Sequence, residues 1–246
     1  MSNDVADHLI DAARQCVAPI WTSGGILQPP AEVSCSGTCV FIETGASRVI
    51  LTAHHVLEHF RNAKIKDVGA GLAVNLGFGV TAFIEAPRVI DEDKSLDLAV
   101  VDWPHLMQFP GNSKRYFPIA TWPIPRPKRG DAVTVVGFPG AFREVTEHVG
   151  SFSLLGIGMV VSNDPGRNVW LVDEDKSLRT EIDGRIVDRK LDLGGISGSP
   201  GFFLRDGRFH LAGLVYECNP DGTMIALSSA TVLSPLGMID RGNASP

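Results

Sequence analysis

A serine stands between glycines and ahead of a proline in Gly194-Gly195-Ile196-Ser197-Gly198-Ser199-Pro200. A nucleophilic hydroxyl needs such surroundings. The backbone must bend tightly to present the hydroxyl in a cleft and to aim its own N–H groups inward, and glycine reaches the required angles at low cost. Inward N–H groups can hold the oxyanion that develops when a carbonyl is attacked. Gly/Ser/Pro clusters also mark ordinary turns, so the meaning of the stretch rests on its partners. The hydroxyl needs a base to take its proton, and the base needs an orienting acceptor. Histidine titrates near neutrality and suits the base. His54 and His55 end the run Leu51-Thr52-Ala53-His54-His55-Val56. An acid candidate is Asp97 in Ser95-Leu96-Asp97-Leu98-Ala99-Val100-Val101, a single carboxylate ahead of an apolar run. Beside a buried strand it must be paired, hydrogen-bonded or neutralised; an ordinary strand-edge aspartate is the alternative. Asp102 is a fallback acid. His55, Asp97 and Ser197 run along the chain in one of the orders in which convergent triads occur.

A second chemistry overlaps the first. His55-Val56-Leu57-Glu58-His59 fits the H-x-x-E-H pattern of inverted zinc peptidases, with two histidines as ligands and Glu58 as base. It requires a helix throughout and a third, distant acidic ligand, and it leaves the serine loop unexplained. The four cysteines, Cys16, Cys35, Cys39 and Cys218, form no C-x-x-C pair. They read as reduced thiols of a cytosol rather than as a zinc site or a disulfide framework.

The elements that must position these residues read as β-structure. The chain has 246 residues, 44% of them hydrophobic, ample for one large all-β unit or two small barrels. Residues 4–17 carry apolar side chains at helical spacing, with Asn3 or Asp4 as cap. Thr38 to Ile42 and Arg48 to Thr52 read as a hairpin around Gly45-Ala46-Ser47. Two strands are expected between Ala70 and Ile90 and one between Leu96 and Trp103. The proline-rich stretch from Pro118 to Pro127 reads as an extended linker. Strands resume at Ala132 to Val136, Phe142 to Val149, Phe152 to Val161, Val169 to Val172 and Arg185 to Val187. Phe202 to Leu204, His210 to Tyr216 and Thr223 to Leu227 complete the set, and Thr231 to Ile239 is expected to be a short helix. The expected division is 1–30 for the N-terminal helix and linker and 31–117 for a first barrel. A linker over 118–130 and a second barrel with the C-terminal helix over 131–246 follow. Asp91-Glu92-Asp93-Lys94-Ser95-Leu96 recurs as Asp173-Glu174-Asp175-Lys176-Ser177-Leu178 and reads as two solvated acidic turns.

The net charge of −6 and the lack of a Lys/Arg-rich run give nucleic acid no electrostatic footing. No apolar run approaches the ~20 residues of a spanning helix, and the N-terminus lacks a basic start with an apolar block, so no membrane partner and a cytoplasmic location are expected.

Three blocks resemble the trypsin/chymotrypsin-like serine peptidases. Thr52-Ala53-His54-His55-Val56 is similar to their Thr-Ala-x-His block, Asp97-Leu98-Ala99-Val100 to their Asp-Ile/Leu-Ala block, and Gly195-Ile196-Ser197-Gly198-Ser199-Pro200 to their Gly-Asp-Ser-Gly-Gly-Pro block. Gly137-Phe138-Pro139-Gly140 resembles the Gly-x-Pro turn of the bacterial HtrA-type branch, without room for a PDZ domain after Ile239. The resemblance runs from about Thr38 to about Leu233 and implies two six-stranded antiparallel β-barrels with the site between them. It implies His55 as general base, Asp97 as its orienting acid and Ser197 as nucleophile, with the N–H groups of Gly195 and Ser197 as oxyanion hole. His54 is then a bystander, and Ser199 stands where glycine is usual. The implied activity is hydrolysis of a protein or peptide substrate through an acyl-enzyme, with no metal or organic cofactor. The implied substrate pocket has a floor near Leu191 and Asp192 and walls near Tyr216, Glu217 and Cys218. Secreted relatives place an aspartate just before the serine, where it pairs with a freed N-terminus. Ile196 cannot make that pair, so constitutive activity or ordering by an activating partner is expected. A triad-bearing fold used only as a binding module is the further alternative, carried by Ile196 and Glu217.

Overall fold

Cys39-Val40-Phe41-Ile42 has no polar position, and the fold supplies the reason: the strand that carries these residues is buried on both faces. The computed structural model describes residues 3–24, 36–104, 106–140, 143–145, 150–163, 166–173, 180–182, 185–186, 193–220 and 222–241. Helix α1 (Asn3–Arg14) is followed by β1 (Val17–Ser23), β2 (Ser36–Glu43) and β3 (Arg48–Thr52). After helix α2 (His54–Lys66) come β4 (Gly71–Gly77), β5 (Val80–Ile84), β6 (Val89–Asp93), β7 (Leu98–Asp102) and β8 (Phe117–Pro118). The C-terminal part contributes β9 (Ala132–Gly137), β10 (Arg143–Val145), β11 (Gly150–Phe152), β12 (Leu155–Val161) and β13 (Asn168–Val172). It continues with β14 (Thr180–Ile182), β15 (Arg185–Ile186), β16 (Pro200–Arg205), β17 (Arg208–Cys218) and β18 (Met224–Ser229).

The first sheet runs β5-β4-β1-β2-β3-β7-β6, with β8 added to β2 in parallel. The second runs β13-β18-β17-β16-β9-β12, and β12 pairs back to β13, so six strands close into a ring from which β14 and β15 extend. Of the two six-stranded antiparallel barrels expected, one is present as such. The C-terminal sheet closes; in the first, β5 and β6 end an open path among the described residues.

Apolar side chains gather in three clusters. One fills the first sheet with Cys39, Phe41, Ile50, Ala99 and Val101. One fills the ring with Val133, Val135, Phe203 and Leu227. The third lies between the two, where Val40, Ile42, Leu51, Leu98 and Val100 meet Val136, Leu154 and Phe202. Successive strand residues point to opposite faces, so β2, β3 and β7 each feed two clusters through residues 39–42, 49–51 and 98–101, which are apolar without interruption. Leu9, Ile10 and Ala13 of α1 enter the cluster between the sheets, so the N-terminal helix seals the junction.

Three local expectations change. The N-terminal helix stops at Arg14, and Val17 begins β1, a strand not foreseen because Pro19 lies within it. The ladder to β4 begins only at Ile20↔Val74, so Pro19 sits at its end, where a missing N–H is tolerated. The segment after Thr52 turns into α2, whose Val56, Leu57 and Phe60 face the first cluster. The expected C-terminal helix is a single 3-10 turn, Ala230–Val232, followed by a bridge between Leu233 and Ile239. Beyond it, Pro235 and a left-handed Gly237 (φ 73°) form a separate turn, in which Gly237 N donates to Ser234 O at 2.9 Å, instead of continuing a helix.

Candidate active site

Helix α2 begins without a side-chain cap of its own: the residue before it, Ala53, has no hydrogen-bonding side chain. The first N–H groups of a helix still need acceptors. Asp97, brought alongside by β7, supplies them. Its carbonyl oxygen accepts from His54 N at 3.1 Å and its Oδ1 from His55 N at 2.9 Å. Its Oδ2 lies 2.7 Å from His55 Nδ1. A carboxylate can only accept, so Nδ1 carries the proton and Nε2 is left as the basic nitrogen.

Asp97 adopts a left-handed backbone (φ 47°, ψ 44°) at the end of the 3-10 turn Lys94–Leu96. A bulky side chain reaches that region rarely, and aspartate is one of the few residues that tolerate it. The turn is capped by Asp93, whose Oδ1 accepts from Ser95 N at 2.9 Å, Ser95 Oγ at 2.6 Å and Leu96 N at 3.2 Å. Arg167 reaches Asp93 Oδ2 at 3.2 Å from the ring of strands. Burial pushes the Asp93 carboxyl up, but the hydrogen bonds from Ser95 and Leu96, with the Arg167 charge, outweigh it and hold the group below its ordinary value. Ser228 Oγ donates to the Leu96 carbonyl and fixes the turn from the other side. These residues correct the reading of Asp91–Leu96 as a solvated turn. The Asp91 side chain is 8% exposed and accepts from Ile239 N and Arg241. The second copy of the hexapeptide lies outside the described residues after Asp173.

The serine loop is two tandem turns. Ile196 N donates to Leu193 O at 3.0 Å and Ser199 N to Ile196 O at 2.9 Å. The third residues of the turns are Gly195 (φ 85°) and Gly198 (φ 82°), the conformation that requires glycine in a type II turn. Gly198 is required twice over: a side chain there would overlap the Thr38 carbonyl and lie 2.9 Å from Ala53 N. That close approach seats the loop against the start of α2. Thr38 N donates to Ser197 O at 2.9 Å, Gly198 N to Val215 O at 2.8 Å, and Gly140 N to Gly194 O at 2.6 Å. Thr38 also accepts from Phe138 N through its Oγ1 at 3.0 Å.

Ile196 is 1% exposed and packs in the core of the ring with Leu193 and Val215. Among the described residues, the N–H groups of Gly195 and Ser197 donate to no protein acceptor, and the Ser197 hydroxyl makes no hydrogen bond. Ser199 is wholly buried with its hydroxyl unpartnered.

The other foreseen residues fall as follows. His54 is buried, with Nε2 3.6 Å from Glu92. Asp102 pairs with Arg88 at 3.2 Å, away from His55. Tyr216 is the extra residue of a bulge in β17, half-buried beside exposed Glu217 and half-buried Cys218. Leu191 and Asp192 lie outside the described residues. Cys16 and Cys39 are buried thiols outside any disulfide. The helix that a zinc motif at His55, Glu58 and His59 requires is present, but no group of three ligating side chains converges among the described residues. Sequence reasoning missed Thr38, Asp93 and Arg167. Asp93-Lys94-Ser95 is a capping signal that could have revealed the second; the other two act through contacts far along the chain.

The trypsin-like peptidase domain model matches residues 37–212. No curated protein matches the chain. Among solved structures, that of Deg5 aligns with a TM-score of 0.52 at 14% identity, covering 93% of this chain and 90% of that one. A structure concerned with the coupled folding and binding of the Sesbania mosaic virus VPg protein aligns at 0.49 and 14% identity, covering 86% and 85%. Catalytically inactive tobacco etch virus protease complexed with substrate aligns at 0.47 and 15%, covering 89% and 80%. The likeness to Deg5 is one of fold and agrees with an all-β, chymotrypsin-like architecture. With the family model spanning most of its length, the chain belongs to the trypsin-like peptidase domain family.

Proposed function

We propose that the protein is a serine endopeptidase that cleaves peptide bonds through an acyl-enzyme, with Ser197 as nucleophile, His55 as general base and Asp97 as the residue that orients His55. The observation that carries this reading is the pair of bonds from Asp97 to His55, one to the backbone and one to Nδ1. They fix both the ring and its tautomer. Attack by Ser197 would transfer its proton to His55 Nε2, and the imidazolium would be stabilised by Asp97. The N–H groups of Gly195 and Ser197, which have no protein acceptor, would receive the oxyanion. His55 would then protonate the leaving amine, and water would release the acyl group by the reverse path. Tyr216, Glu217 and Cys218 would border the substrate. Buried Ile196 holds the loop by packing, which favours activity without N-terminal cleavage. Free thiols agree with an intracellular, cytoplasmic enzyme.

A binding-module reading has one observation in its favour, the absence of a hydrogen bond from the Ser197 hydroxyl. Catalytic contacts are often loose without substrate, so the two readings separate only by experiment. A fluorophosphonate probe should label Ser197, as mapped by mass spectrometry. Ser197→Ala and His55→Ala should lose the adduct, and a chelator should leave it unchanged. An unlabelled native protein would favour the module; sensitivity to chelator would favour the zinc motif.

A further inference from the structure

A cavity of about 300 Å3 lies at the junction of the two sheets, walled by Arg14, Pro19, Lys114, Phe138, Phe152 and Leu154 among others. Lys114 is 7% exposed. Its Nζ donates to the Arg14 carbonyl at 2.8 Å, at the C-terminal end of α1. That contact uses one of three ammonium hydrogens. The Phe138 ring centroid is 5.9 Å from Nζ. Among the described residues Lys114 forms no ion pair, although a buried charge is ordinarily paired. A second cation, Arg14, stands close enough to repel it. Burial lowers the Lys114 pKa to about 8; the thiols of Cys39 and Cys16 oppose the shift in part, and the Arg14 charge adds the least. Capping of α1 accounts for one hydrogen bond. It does not account for the space in front of the ammonium.

We propose that this cavity binds a small carboxylic acid with an aromatic or aliphatic body, its carboxylate against Lys114 and its body between Phe138 and Phe152. The carboxylate would supply the missing counter-charge and accept the ammonium hydrogens, a charge-assisted contact of the stronger kind. A bare inorganic anion would leave most of the space empty, since one water occupies about 30 Å3 of liquid. The cavity falls at the small end of the size range of ligand sites, and its walls set the apolar Pro19, Phe138, Phe152 and Leu154 beside the polar Asn75, Ser113 and the two cations. None of its lining residues belongs to the proposed triad, and its test does not depend on the peptidase reading.

The test uses the whole protein with isotope-labelled lysine, the Lys114 signal being assigned through Lys114→Arg. Phenylacetate and octanoate are titrated against phenylacetamide and inorganic phosphate. At least one of the two acids should shift the Lys114 ε-carbon saturably. Phenylacetamide should not shift it, and phosphate should bind at least tenfold more weakly. Lys114→Met should weaken the acid at least tenfold while keeping the native circular dichroism. The proposal falls if neither acid gives a saturable shift, or if the amide shifts Lys114 as the acid does. It falls equally if phosphate matches the acids or if a folded Lys114→Met binds undiminished. Should that variant not fold, the comparison of acid with amide in the native protein decides alone.

Discussion

Asp97 acts twice with one side chain. It satisfies the uncapped start of α2 and it holds the His55 ring, so the helix end and the imidazole are set by a common group. The geometry was half legible in the sequence. A single carboxylate ahead of Leu98-Ala99-Val100-Val101 had to be paired, but its backbone conformation and its service to α2 arise only from the fold. Lys114 is a contrasting case, a charge held at a cost. Its pKa in the fold, about 8 against an ordinary 10.5, means that the unfolded chain binds the extra proton between those values. Stability from this group therefore rises with pH across that window, by about 3 kcal/mol in all. The cysteines act in the opposite sense: burial pushes Cys16 up to about 12 and Cys39 higher still, so stability falls as the unfolded thiols ionise. Denaturant unfolding of native protein and Lys114→Met, compared from pH 7 to pH 10, removes the shared thiol effect. The native protein should gain on the variant as pH rises. A constant difference would mean that Lys114 is well solvated.

At the scale of elements, the turn Lys94–Leu96 governs where Asp97 points, and Asp93 governs the turn. Asp93→Ala should cost about 1 kcal/mol, the usual value of a lost cap, and should slow fluorophosphonate labelling of Ser197 roughly tenfold by the same loosening of position. Asp93→Asn keeps an acceptor for the Ser95 and Leu96 N–H groups and should recover most of the rate. Because the Asp93 pKa is lowered in the fold, its contribution is complete at neutral pH and is lost as pH falls through the lowered value. If Asp93→Ala labels at the native rate, the turn is held by Ser228 and the strands alone. Strands with clear β-branched runs, such as β3 and β7, were readable from sequence. β1 was hidden by Pro19. The start of α2 was hidden by the strand running directly into it, although Val56, Leu57 and Phe60 carry the helical spacing. The serine loop was readable as a loop because glycine is obligatory at 198; its seat against Ala53 was not, since nothing local encodes a contact with Thr38.

For the whole molecule, the decisive arrangement is a cluster of apolar residues shared by both sheets and sealed by α1. The two sheets cannot separate without exposing it, so His55, from one, and Ser197, from the other, are held by the same packing. The sheets themselves differ in that, among the described residues, one closes and the other does not. In a ring every strand has two neighbours, and no strand can peel away first. Backbone amides of β9, β16 and β17 should therefore exchange with deuterium only through near-global unfolding. In β5 and β6, which have one neighbour each among the described residues, amides facing away from the sheet should exchange at once, and the others through fraying at least tenfold faster than those of the ring. Equal protection of β5 and β16 would mean that the first sheet closes in solution. The predicted gradient would make the half that carries His55 and Asp97 the more easily opened of the two. Loss of labelling on warming would then begin at His55, the proposed base, and not at Ser197, the proposed nucleophile.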